Sequence, residues 1–424
     1  MRARILNKNP FDISIYQLEI PNFDLILWNK KMSNQSSSVS EPLLNISQEL
    51  VEEERVAGPE DGIALCLSGG GYRAMLFHTG AIIRLNQFAL LKKLSRVSSV
   101  SGGSITAGVL GLNWNQLNFD TNGRASNFTE LLIEPIQRMA RKTIDRGSIL
   151  GGVFLPGSIN DRIVGHYQEI LFKEATLQDL PSDLEGPRFV INSTSIQSGA
   201  LVRMSRPYLA DYRVGMIRSP KILLAQAVAA SSAFPPFLSP AEIDVDPSDF
   251  EVDENCDLQR EPFTDTLVLS DGGVYDNLGL ETAWKRYKTI FVSDGGGLTH
   301  PDPEPASDWA QHSKRILDII DNQVRNLRKR QLISSYVTKI RDGAYWGIRT
   351  NISDYELADS LQANPQRTLQ IAETPTRLKR LPEKRQQQIM NWGYAVCDAA
   401  VRQHAESLIA PDSPPAEFPF PVEL

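Results

Sequence analysis

"IALCLSGGGYRAMLFHTGAI", residues 63–82, decides the fold. Ile63–Ser68 is a short apolar run with the length of a buried strand, Gly69, Gly70 and Gly71 form a tight turn, and the apolar-rich pattern from Leu76 to Leu94 predicts a helix with Lys92 and Lys93 near its end. The same alternation continues outward. "RVSSVSGGSITAG" (96–108) carries a β-branched lead-in at Val97–Val100 and a helix-compatible segment at Ile105–Leu112. "RFVINST" (188–194), "DTLVLS" (265–270) and "KTIFVS" (288–293) read as further strands, and "KILLAQAVAASS" (221–232) as a helix. Short apolar strands alternating with helices predict an α/β fold, a three-layer α/β/α arrangement around a mainly parallel sheet buried on both faces.

The chain has 424 residues, 41% of them hydrophobic, which suffices for a full core, and a formal net charge of -7, which disfavours a nucleic-acid partner. Its three cysteines, Cys66, Cys256 and Cys397, lie far apart and form neither a metal-ligand spacing nor an obvious disulfide set. The N-terminus lacks the apolar core of a signal peptide, and no window reaches the roughly 18 apolar residues of a membrane span. The expected location is cytoplasmic. The acidic stretch 242–257 fails as a calcium loop, because counting from Asp244 puts Asp249 where glycine is required and Asn255 where glutamate is required. No metal and no cofactor is expected.

Three regions separate: an N-terminal segment, 1–60, with the Ser-rich stretch "SNQSSSVSEP"; an α/β region, 61–300; and a mainly helical extension, 301–424, where the strand signal fades. "GSILGGVFLPGSI" (147–159) reads either as a lipid-facing loop or as a buried irregular segment, and "FDLILW" (23–28) either as a membrane-interface contact or as an element packed on the main domain. The basic runs Arg325, Arg328, Lys329, Arg330 and Arg377, Lys379, Arg380, Lys384, Arg385 read as headgroup-attracting patches or as solvated helix faces.

For chemistry, Ser104 follows Gly102-Gly103 on a strand–turn–helix, the setting of an exposed nucleophile, although the GxSxG pattern ends here in Thr106. The N–H groups of Gly69, Gly70 and Gly71 open a helix and suit an oxyanion or a phosphate, and Arg73 either steadies that loop or meets a phosphate. Of the five histidines (His78, His166, His300, His312, His404) none has the surroundings of a general base, with His300 the nearest to one. A carboxylate can replace histidine if burial raises its pKa. Two candidates end strands with the same signature, Asp271-Gly272-Gly273 and Asp294-Gly295-Gly296, and their residue chemistry alone does not choose between them.

Together "SGGGYRA", "VSGGSITAG", "AVAASSAFPPFLSP" (227–240) and "LSDGGVYDNLG" resemble, in order, the motifs of the patatin-like phospholipases, over roughly residues 61–300. The resemblance implies a serine–aspartate dyad that needs no histidine. It gives Ser104 as nucleophile, Asp271 as base in preference to Asp294, and Gly69, Gly70, Gly71 and Arg73 as the oxyanion site. It also implies hydrolysis of acyl esters in phospholipids or other acyl lipids, with peripheral membrane contact. The alternatives are an acyltransferase using the same acyl-enzyme and a non-catalytic anion-binding protein with a degenerate elbow.

Overall fold

The computed structural model describes residues 59–144 and 159–424. The segments 23–28 and 147–158 and the Ser-rich stretch therefore lie outside the described residues.

Strand β1 (Glu60–Leu67) is buried from Ile63 onward, as a strand covered on both faces must be. It feeds α1 (Gly71–Gln87), in which all but the last residue is buried. The helix stops at Gln87, earlier than the apolar pattern predicts. Ala89 takes a left-handed φ of 58°, and the Leu90 N–H returns to the Leu85 carbonyl at 2.9 Å, a C-terminal closure usually given to glycine. Strand β2 (Leu94–Ser99) then enters α2 (Gly102–Leu112). After α3 (Glu134–Ala140) and α4 (Ile159–Tyr167) come β3 (Arg188–Ser195) and a meander of β4 (Leu201–Met204), β5 (Tyr208–Asp211) and β6 (Gly215–Arg218). Next are α5 (Leu224–Ser231), β7 (Ala241–Asp244), β8 (Thr266–Asp271), α6 (Gly273–Asp276), α7 (Glu281–Trp284) and β9 (Tyr287–Asp294). The chain closes with α8 (Trp309–Val337), β10 (Asp342–Gly347), α9 (Pro365–Ala372) and α10 (Glu383–His404).

The strands form one ten-stranded sheet in the order β10-β9-β1-β2-β3-β4-β5-β6, with β7 and β8 branching from β3. The half from β10 to β3 is parallel; the pairings of β3 with β4, of β4 with β5, of β5 with β6, and of β8 with β3 and β7 are antiparallel. The sheet is thus mixed, with helices on its faces. On one edge of β3, β2 pairs as far as Ser99 opposite Ile191, and β8 arrives from the other direction to place Asp271 opposite Ser193. The ends of β2 and β8 therefore meet head to head across Asn192.

Residues beyond 300 build into this layer arrangement. β10 extends the sheet beside β9. α10 packs on α1 backbone to backbone: a Cβ on Gly80 would sit 1.9 Å from the Met390 carbonyl oxygen, and one on Gly393 2.0 Å from that of Phe77. The same contact buries an Arg84–Asp398 ion pair at 2.7 Å, with the guanidinium stacked 4.1 Å over the Phe88 ring. No helix among the described residues is long and apolar enough to cross a membrane.

Candidate active site

Between β2 and α2 the backbone turns at Ser101, with φ 52° and ψ -121°. A non-glycine residue there is strained by about 1–3 kcal/mol and persists only where its surroundings fix it. Here they do. The Ser101 N–H donates to Ser231 Oγ at 3.0 Å, and the Ser101 carbonyl accepts the Ser104 N–H at 2.8 Å. Glycine is required on either side of the crossing, because a Cβ on Gly102 would lie 2.2 Å from the Gly71 oxygen and one on Gly103 2.4 Å from the Leu67 oxygen. This is the strand–turn–helix elbow that lifts a serine hydroxyl out of a sheet edge.

The serine at that turn is Ser101, whose hydroxyl lies near enough to the Asp271 carboxyl to lower its pKa. Ser104 is not brought to Asp271. It lies one helical turn into α2, fully buried, with its hydroxyl donating to Ser99 Oγ at 3.0 Å and paired with Ser231 Oγ at 2.9 Å. The geometry therefore favours Ser101, rather than the expected Ser104, as the candidate nucleophile. Ser101 is also the serine with glycine two positions later, at Gly103, whereas Ser104 has Thr106, whose hydroxyl is committed to the Met75 carbonyl at 2.9 Å.

Asp271 ends β8 and is 3% exposed. Burial pushes its carboxyl up to about 7, opposed by the bond from the Gly273 N–H and by the Ser101 hydroxyl, and reinforced by the charge of Asp321. The Gly273 bond is 2.7 Å long. Asp294, the second aspartate of the pair, is built differently. Burial raises its pKa, but Lys329 at 2.9 Å, Arg325 and the Tyr345 hydroxyl at 2.8 Å outweigh it and hold the carboxyl far below the ordinary range. It stays charged and committed to that ion pair.

The glycine loop meets the elbow from β1. Gly70 and Gly71 have φ values of 145° and 59°, where a side chain would be strained. A Cβ on Gly69 would lie 3.2 Å from that of Ser101. The Gly69 N–H is taken by the Asn277 carbonyl at 3.0 Å, whereas those of Gly70 and Gly71, at the start of α1, have no acceptor among the described residues. Arg73 spends most of its side-chain N–H groups on the protein itself. Nε donates to the Gly295 carbonyl at 3.0 Å, Nη1 to that of Thr374 at 2.6 Å and Nη2 to Thr376 Oγ1 at 2.8 Å. These bonds favour the second of the two readings of Arg73, a strut under the loop, over membership of the oxyanion site.

No histidine among the described residues is bonded to Ser101 or Asp271. His78 is buried between the Ser68 carbonyl at 2.9 Å and Ser293 Oγ at 2.7 Å, and burial pushes it down to about 4. His300 is exposed on the loop after β9. Most of the basic run of α8 also turns toward the protein, with Arg328 on Glu281 at 2.7 Å and Lys329 on Asp294, while Arg330 is exposed.

Three residues of the site escaped the sequence reading. Ser231 bridges Ser101 N, Ser104 Oγ and the Asn192 carbonyl, the last at 2.7 Å. Asn192 Nδ2 ties the end of β2 through the Ser99 carbonyl at 2.9 Å. Asn277 holds the glycine loop. Two had a signal: Ser231 sits in the small-residue run before "AFPPF", and Asn277 in "LSDGGVYDNLG".

Compared with known proteins, the chain matches the model of the patatin-like phospholipase family over residues 65–284, more than half its length. No curated protein matches it. Among solved structures, human GIVD cytosolic phospholipase A2 aligns at 13% identity with a TM-score of 0.49, covering 85% of this chain and 61% of that one. The same human enzyme in complex with methyl gamma-linolenyl fluorophosphonate aligns at 11% identity, with a TM-score of 0.48 and the same coverage of 85% and 61%. VipD from Legionella pneumophila aligns at 14% identity with a TM-score of 0.30, covering 79% and 67%. The family model matches both the elbow and the Asp271 turn, and the chain belongs to the patatin-like phospholipase family.

Proposed function

We propose that the protein is a lipid acyl hydrolase in which Ser101 and Asp271 form the catalytic dyad. The observation that carries this reading is the nearness of the strained Ser101, at the end of β2, to a buried carboxyl at the end of β8 pushed up to about 7. Ser101 Oγ attacks the ester carbonyl carbon as its proton passes to Asp271, and the carbonyl oxygen becomes the oxyanion. The N–H groups of Gly70 and Gly71 receive that oxyanion, each such donor contributing about 3–4 kcal/mol to the transition state. The C–O bond then breaks, the leaving alcohol takes the proton from Asp271, and an acyl–Ser101 ester remains. Water attacks it through the same tetrahedral stage, giving a proton to Asp271; as the bond to Ser101 breaks, Asp271 returns that proton to Ser101 Oγ and the fatty acid is released.

An apolar substrate is supported by the rim. Phe234 is 43% and Val274 52% exposed, one residue beyond Ala233, which pairs with Asp271, and one beyond Gly273. Acyl-lipid esters, met at a membrane surface by a peripheral protein of the cytoplasm, are the proposed substrates.

The test is labelling by a fluorophosphonate probe with peptide mapping. The adduct is expected on Ser101, absent in Ser101→Ala, strongly reduced in Asp271→Asn and present in Ser104→Ala. An adduct on Ser104 in the wild type overturns the assignment.

A further inference from the structure

The carboxyl ends of β9 and β10 open into a cavity of about 250 Å³, one strand away from the elbow. Its lining includes Asp294, Gly296, Gly297, Arg325, Lys329 and Arg349. Three cations face one carboxylate, and Asp294 is already bonded to Lys329 and Tyr345. Arg73 adds to the field from below: a Cβ on Gly297 would lie 3.3 Å from its Nη2, and the charges of Arg349 and Arg325 join burial in pushing Arg73 down to about 10, against Asp294.

Such crowding of like charge is costly unless something answers it. Buried polar groups are almost always bonded, and one left without a partner costs about 1–3 kcal/mol. Arg325 is 5% exposed; it donates through Nη2 to the Gly297 carbonyl and toward Asn322 Oδ1, but its buried Nε has no protein acceptor. The Nε of Arg349 is likewise buried without one. Both orphan donors belong to side chains lining the same cavity. Asp321 and Glu373 act on these two arginines through charge only.

We infer that this cavity is a binding site for a phosphoryl group, held by Arg325 and Arg349 with Lys329 at its side. A phosphoryl group brings several acceptor oxygens and a charge matching the cationic excess, and guanidinium N–H groups bind it with charge-assisted hydrogen bonds. The site lies against the oxyanion loop. A Cβ on Gly70 would sit 2.8 Å from the Gly295 carbonyl, which also receives Arg73 Nε, so an anion on the 296–297 backbone braces the turn that presents the Gly70 N–H. The group could arrive on a lipid headgroup or as a free phosphate ester. The role for catalysis rests on the dyad proposed above; the binding itself does not.

The experiment uses the full chain as wild type, Ser101→Ala, Arg349→Ala and Arg349→Gln, with inorganic phosphate titrated against chloride at constant ionic strength. A saturable rise in Tm is expected in wild type and equally in Ser101→Ala, with the apparent Kd about tenfold or more weaker in both Arg349 variants. No rise in wild type, or an undiminished rise in the Arg349 variants, overturns the site. The wild-type titration decides even if a variant misfolds. Turnover of a phosphate-free chromogenic ester reports the dyad separately: if Ser101→Ala keeps that turnover, the dyad fails while the phosphate result stands. Sedimentation with phosphatidylcholine vesicles, with and without phosphatidic acid, identifies the source. Arg349-dependent retention on phosphatidic acid supports a headgroup; phosphate binding without it supports a soluble ester.

Discussion

Ser231 Oγ holds the backbone N–H of Ser101 at 3.0 Å while donating to the Asn192 carbonyl at 2.7 Å. One hydroxyl therefore clamps the strained turn to the strand junction on which the site is built. Ser231→Ala leaves the Ser101 N–H and the Asn192 carbonyl without it, a loss of about 1–3 kcal/mol by chemical denaturation. Labelling of Ser101 should slow in that variant without being abolished. Ser104→Ala removes only contacts between hydroxyls, with Ser99 and Ser231, and should cost less on both readouts.

The pH dependence follows from Asp271. In the proposed role of general base it must be ionised, so kcat/KM for a soluble ester should rise through an acidic limb with an apparent pKa of about 7. The sign for stability is opposite. A carboxyl raised from 3.8 to about 7 by folding contributes stability below 3.8, and this is lost as pH rises through about 7. The conservative Asp271→Asn variant should therefore be less active and, at pH 8, no less stable than wild type.

Asp294 should behave in the reverse way. Its depressed pKa means that its contribution is present above 3.8 and is lost as pH falls toward its folded value. Asp294→Asn should lower stability at neutral pH and flatten the acid side of a Tm–pH curve. Fluorophosphonate labelling of Ser101 should remain.

Across the α1–α10 contact, Asp398→Ala strands the Arg84 guanidinium, whose exposure is 2%, and should cost about 3–5 kcal/mol. Arg84→Met combined with Asp398→Leu should recover much of that loss. Urea denaturation of the singles and the double closes the cycle, and a double variant as unstable as the sum of the singles would contradict it.

Much of this was legible in the sequence, because turn chemistry is local. The glycine loop, the elbow region and both Asp-Gly-Gly turns fall where residue types alone put them, since no other side chain fits Gly70, Gly71, Gly102 or Gly103. The choice of serine was not legible through glycines preceding it. What distinguishes Ser101 is backbone conformation, and its sequence trace is Gly103 two positions later. The end of α1 was hidden because Ala89 does the work of a glycine. β10, "DGAYWG", was hidden because its strand identity comes from pairing with β9 rather than from its own pattern. The choice between Asp271 and Asp294 lay in partners contributed by α8 and β10, remote in the chain and invisible to any short window.

The meeting of β2 and β8 across Asn192 ties the proposed chemistry to assembly. Ser101 and Asp271 arrive on strands distant in sequence, and they come together through pairing of both strands with the same edge of β3. The local β1–α1–β2–α2 unit carries Ser101 and the glycine loop but not Asp271, so long-range pairing is needed to complete the proposed dyad. On heating, detachment of the short β7–β8 pair should end turnover before most helices melt.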